Sequence, residues 1–233
     1  AAAISTEKGV VIDEIHSYKD SPSECIFEDF EALLFEGHPL NRSILGTARS
    51  LKKISSEDLK AYAKSGFRPD NMCLTIVGGL TPQRAEKIAA QVVEKYVPAG
   101  FEPVSGPVQE PVSSAVEGAR FFKEVNKKNH QVNCITGATA CSFYGERRLA
   151  LILLANILGG PSSNSRLNQV LREKNALVYG IDATFTQYAD SGSFLIYFGC
   201  EKPNLEKCLE LIGREISLMR DKPLGDRALR SAK

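Results

Sequence analysis

The feature that most constrains this chain is a set of prolines at its centre. Pro98, Pro103, Pro107 and Pro111 all fall between Val97 and Ser114. Each lacks a backbone N–H and fixes its own φ, which leaves too few donors there for a helix or a central strand. The stretch 98–117 therefore reads as a linker, with elements expected over 1–97 and 118–233. A length of 233 residues with 43% hydrophobic content supports one large core or two modest ones.

Before the prolines, helix signals dominate. Ser21-Pro22 marks a helix start, followed by Phe27, Phe30, Leu33 and Leu34 at helical spacing and a stop at Gly37. Ser55 with Asp58 three residues later has the form of a capping box, ahead of Leu59, Tyr62 and Ala63. Residues 72–77 read as a buried strand, turned by Gly78-Gly79. Thr81-Pro82 then caps a helix whose apolar face is Ala85, Ile88, Ala89, Val92, Val93 and Tyr96. Beyond the prolines the order partly recurs. Strands are expected over 120–125 and 131–140, helices over 145–158 and 165–174, paired strands around Asp190-Ser191-Gly192, and a long helix after Pro203.

Charge and cysteine usage narrow the function classes. A net charge of +1, from 29 basic and 28 acidic residues, argues against nucleic-acid or membrane-surface binding. No apolar run approaches the roughly 20 residues that span a bilayer. The six cysteines contain no Cys-x-x-Cys, and Cys73, Cys134 and Cys200 lie in apolar strand-like runs. Buried free thiols, and with them a reducing cytoplasm, explain this pattern at least cost, with disulfides left open by the even count.

The first helix carries the main chemical signal. In Glu7-Lys8-Gly9-Val10-Val11-Ile12-Asp13-Glu14-Ile15, positions 7, 10, 11, 14 and 18 share a face, so two carboxylates fall in an apolar stripe. Buried there, they would need a cation, a strong donor set or a metal. If the buried face centres instead on Val11, Ile12 and Ile15, both are ordinary solvated acids. His38 beside Pro39 is either a ligand or, as lone turn histidines usually are, a structural hydrogen-bonder. Gly159-Gly160 lacks a following Gly-Lys-Ser/Thr and joins helix to helix, so it is not read as a phosphate loop.

The pattern Glu-x-x-Val-Val-Ile-x-Glu-Ile from Glu7, followed by Asp20-Ser21-Pro22, resembles the segment of pitrilysin/insulinase (M16) metallopeptidases that follows their His-x-x-Glu-His motif. Gly37-His38-Pro39-Leu40, Ile44-Leu45-Gly46-Thr47 and Leu171-Arg172-Glu173-Lys174 running into Tyr179 extend the resemblance, which is greatest to the mitochondrial-processing-peptidase-like branch. It implies an α+β fold of repeated modules, each a mixed, largely antiparallel sheet backed by helices. Residues 1–97 would be the second part of an incomplete first module, and 118–233 most of the second. It also implies that Glu14 completes a zinc site, that Glu7 supports it, and that Arg172 and Tyr179 reach the peptide from the second module.

Guanidinium and phenol suit that role, since both donate to a carbonyl oxygen gaining charge. Read from the strand pattern alone, Tyr179 falls on one face with Leu177, Ile181 and Phe185 and would be a core residue. The usual Arg-Gly-Leu before the tyrosine is replaced by Asn175-Ala176-Leu177. The histidines, His16, His38 and His130, make no His-x-x-x-His pair, so the chain reads as a fragment expected to be inactive alone and to hold zinc weakly or not at all. The intact protein is expected to be a zinc endopeptidase that hydrolyses extended or unfolded peptides with metal-activated water. The alternative is a non-catalytic peptide-binding or assembly subunit of the same fold. Expected partners are peptides, with no nucleic acid or membrane, and with homo-oligomerisation left open.

Overall fold

The computed structural model describes residues 2–97, 101, 120–127, 131–225 and 229–230. The linker expected over 98–117 thus lies outside the described residues, apart from Phe101. The chain divides into two units, one holding residues 2–10 and 48–97, the other residues 11–47 and the described residues from 120 onward. Helix α1 (Ala2–Lys19) runs through the division at Val10/Val11.

The first unit is helical, with α3 (Ala48–Lys53), α4 (Ser56–Gly66) and α5 (Pro82–Tyr96). Its caps follow from the sequence. The Asp58 amide donates to Ser55 Oγ at 3.0 Å and the Ser55 amide to Asp58 Oδ2 at 2.8 Å, so the capping box forms in full. These bonds hold the Asp58 carboxyl below its usual range. Thr81 Oγ1 accepts from the Arg84 amide at the start of α5. Lys8 Nζ donates to the carbonyls of Lys52 and Ile54, tying α1 to the end of α3.

Residues 72–77 are not a strand. They run without ladder hydrogen bonds and expose Met72, Leu74 and, at 90% of its surface, Val77. A strand is made by its neighbour, and no described segment pairs with this one. Cys73 is exposed with them, against the expectation of a buried thiol.

The second unit holds a three-stranded antiparallel sheet in the order β1-β3-β2, from β1 (Val132–Ala140), β2 (Val178–Gln187) and β3 (Gly192–Cys200). The central strand is covered on both faces, which is why Gly-Ser-Phe-Leu-Ile-Tyr-Phe-Gly-Cys reads as a nearly continuous apolar run. On one face Ile196, Phe198 and Cys200 pack with Leu158 of α6 (Arg148–Gly159), Leu167, Leu171, and Cys208 and Ile212 of α7 (Leu205–Asp221). On the other, Leu195 meets Phe30, Leu34 and Phe35 from α2 (Pro22–Leu34) and the residue after it.

Two polar contacts fasten the end of α2 to the β2–β3 turn. His38 Nδ1 accepts from the Leu40 amide, so Nε2 carries the proton and donates to Asp190 Oδ2 at 3.0 Å. His38 is therefore the structural hydrogen-bonder, and the Tyr188 hydroxyl donates to Glu31 Oε1 at 2.8 Å beside it. Residues 120–125, expected as a strand, have no ladder partner among the described residues, although Phe121 packs at a tilt against Phe30 with ring centroids 5.5 Å apart.

The Gly159-Gly160 pair has a packing role. A Cβ on Gly159 would lie 2.7 Å from Ala183 Cβ and 2.8 Å from its amide nitrogen, so α6 can close on β2 only through a glycine. Gly159→Ala is expected to lower stability by about 1–3 kcal/mol, read from denaturant midpoints. Alkali should also destabilise this unit. Burial pushes the Cys134 thiol up to about 11 and Cys208 to about 12, above the ordinary 9.0. Folded thiols then stay protonated where unfolded ones ionise, so their contribution is present below pH 9 and lost as pH rises through 11–12. Burial and the bond to Glu31 hold the Tyr188 phenol above its usual range, acting in the same direction. The urea midpoint should fall steadily from pH 9 upward, and less steeply in Cys134→Ala/Cys208→Ala.

Candidate functional site

Helix α1 places both glutamates toward solvent. Ile15 is buried, Val11, Ile12 and Tyr18 are half-buried, and Glu7, Val10 and Glu14 are exposed. The apolar face thus centres on Ile15, the second of the two readings, and the stripe containing the acids is not formed. Neither carboxylate has a hydrogen bond or ion pair among the described residues. Two helical turns separate them, a rise of about 10 Å.

Arg172 and Tyr179 sit at the two ends of one connection. The helical turn before β2 runs as a π-helix over Asn168–Glu173, following Arg166 and Leu167. It is anchored by Arg166, which donates from its guanidinium to Glu215 Oε2 of α7 at 2.8 and 2.9 Å. Asn168 fixes its start, with Nδ2 donating to Ser165 Oγ and the Gly160 carbonyl. At its end the Leu177 amide donates to the Leu171 carbonyl at 2.8 Å and the Ala176 amide to the Arg172 carbonyl at 3.0 Å. This is the Schellman arrangement widened by one residue, with Ala176 at φ +48° in the left-handed region. Ala176 stands where the resembling pattern has glycine, so the turn is kept at a cost of about 1–2 kcal/mol in backbone strain. Arg172 is exposed, with Nε 3.7 Å from Glu173 Oε1.

Tyr179 is turned out of the core by a bulge. Val178 pairs with Cys200 and Gly180 with Gly199, so two β2 steps oppose one on β3 and Tyr179 is the extra residue. The buried residues of β2 are then Val178, Ile181 and Ala183, not the face containing Tyr179, which is 64% exposed. The core reading of Tyr179 is thereby corrected, and the register shift is its cause. Gly180 directly after it was the available signal, since a glycine inside a strand often marks a bulge. The Tyr179 hydroxyl donates to Glu201 Oε1 at 3.1 Å. That bond, with the Glu201 charge, pushes the phenol above its ordinary value. Nothing in the sequence around Glu201 singled it out.

The described residues do not form a zinc site. Among them no group of three or more His, Cys, Asp and Glu side chains could hold a metal ion, and a catalytic zinc requires three protein ligands. What the arrangement does offer is two exposed donors, a guanidinium and a phenol, on a connection whose backbone is held by the buried Leu171 and Val178.

Comparison with known proteins assigns the chain to a family. It is 25% identical over 232 residues to an uncharacterised zinc protease of Streptomyces coelicolor, covering 96% of this chain and 48% of that protein. It is 27% identical over 233 residues to the uncharacterised zinc protease YmxG of Bacillus subtilis, covering 99% and 54%. The chain thus spans about half the length of the curated relatives it matches. The crystal structure of a peptidase M16 inactive domain from Pseudomonas fluorescens superposes with a TM-score of 0.86 at 23% identity, covering all of this chain and 55% of that one. That likeness establishes the α+β fold anticipated above. The profile described as "Peptidase M16 inactive domain" matches residues 53–233. A match over so much of its length shows that the chain belongs to the M16 peptidase family.

Proposed function

We propose that this chain is the part of a zinc-dependent endopeptidase that presents Arg172 and Tyr179 to an extended peptide, with Glu14 contributing one carboxylate to the metal and Glu7 supporting it. The supporting observation is the bulge, which takes an aromatic residue out of a strand whose other residues are buried or half-buried and exposes its ring. A phenol in that position can donate to a carbonyl oxygen as it gains charge, and a guanidinium can hold the peptide through two N–H groups. The zinc protease names of the relatives agree with this reading. Residues 1–97 would belong to the first module and 118–233 to the second, with α2 the element of the first that packs on the sheet of the second. The chain alone, with one or two carboxylates for a metal, is expected to be inactive.

A second reading is a non-catalytic peptide-binding or assembly subunit of this fold. The exposed Met72, Leu74, Val77, Val93 and Tyr96 favour it, because such side chains suit an interface. Turnover separates the two. In the full-length protein, Glu14→Gln is expected to remove zinc and peptide hydrolysis together, with zinc measured by elemental analysis. Tyr179→Phe is expected to lower kcat about 10²-fold, the scale of losing one oxyanion donor, with KM changed far less. Its melting temperature should not move, because the ring is exposed. Arg172→Lys should also be costly, since an ammonium lacks the planar fork. Unchanged turnover in Tyr179→Phe would remove Tyr179 from the site, and zinc-free full-length protein without hydrolysis would leave the subunit reading.

A further inference from the structure

Glu201 follows the last residue of β3, and Cys200 before it pairs with Val178. The bulge that turns Tyr179 outward therefore brings the phenol beside the Glu201 carboxylate, and the two meet at 3.1 Å. A phenol has one proton to donate, whereas an ionised carboxylate can only accept. While this contact is made, the Tyr179 proton is committed to Glu201 and none is left for a peptide carbonyl. The carboxylate also sets a negative charge beside the place where that oxygen would become negative, which opposes the developing charge. Both side chains are exposed, so the contact is open to exchange.

We propose that Glu201 is a positioning residue that holds the Tyr179 phenol in a resting orientation, so that a peptide engages the phenol only by displacing Glu201 from its proton. The proposal rests on the reading of Tyr179 as a donor to the substrate. Its consequence is a brake, because losing the Glu201 charge frees the donor. Glutamine at this position can instead turn its own N–H toward the phenol oxygen and leave the phenol proton unclaimed.

The test is a double-mutant cycle in the full-length enzyme, using Glu201→Gln, Tyr179→Phe and the combination with a quenched fluorogenic peptide. Glu201→Gln is expected to raise kcat/KM about two- to fivefold, the scale of one exposed charge-assisted contact, and to have no effect in the Tyr179→Phe background. Ultraviolet titration should show one tyrosine ionising at lower pH in Glu201→Gln, since Glu201 is what holds that phenol up. Unchanged or lower kcat/KM in Glu201→Gln, with Tyr179→Phe still severely impaired, would overturn the brake and leave Tyr179 in its role. An equal gain in the Tyr179→Phe background would show that Glu201 acts through its charge alone and would also overturn it. An unmoved titration would show that the contact is not made in solution. Full activity in Tyr179→Phe would sink the reading of Tyr179 and this proposal with it.

Discussion

The second unit depends on burying β3 from both sides. Its alternate residues face different layers, with Leu195 and Tyr197 toward α2 and Ile196, Phe198 and Cys200 toward α6 and α7. Among the described residues no second sheet packs on either layer, so both cores lie against this one sheet with β3 at its centre. Phe198 and Cys200 are fully enclosed, as are Leu167, Leu171 and Cys208 around them. The candidate donors gain their rigidity from this arrangement, because the π-turn and the start of β2 are clamped to the same layer through Leu171 and Val178. Arg166 and Glu215 then tie that turn to α7 where solvent begins.

Local signals were legible in the sequence wherever a few adjacent residues decide the outcome. The Ser55–Asp58 box, the Thr81-Pro82 cap and the Ser21-Pro22 start all appear as expected, because a cap needs only the three or four residues that form it. The β2–β3 pair around Asp190-Ser191-Gly192 and the helix after Pro203 were readable for the same reason. Residues 72–77 and 120–125 were not, since their apolar, strand-like composition says nothing of whether a partner lies alongside. The first helix was legible only as two alternatives, and the one centred on Ile15 is the one observed. The stripe through Glu7, Val10 and Glu14 and the stripe through Ile15 differ by about one residue's rotation, and helical periodicity cannot choose between them without the surface they face.

The geometry of the candidate site was legible in part and for a different reason. Resemblance alone singled out Arg172 and Tyr179 as candidates, while the strand pattern argued that Tyr179 belonged in the core. One displaced residue in the pairing reverses that second argument, since side chains in a strand alternate faces. Glu201 was beyond reach from sequence, because its meeting with Tyr179 depends on the register of two strands and on the bulge between them.

Both candidate donors occupy places where the chain carries one residue more than regular geometry uses. A π-turn is an α-helical turn with a residue inserted, and the bulge is a strand with a residue inserted. The fold tolerates these surpluses because the core flanking each of them keeps its register: Leu167 and Leu171 in one case, Val178 and Ile181 in the other. Removing a single residue from either would leave a more regular protein with the same layers, but would swing its donor away by about 100° on the helix or onto the opposite face of the strand. Single-residue gaps between Asn168 and Gly180 are therefore the place where a relative could shed this pair of groups while keeping its architecture.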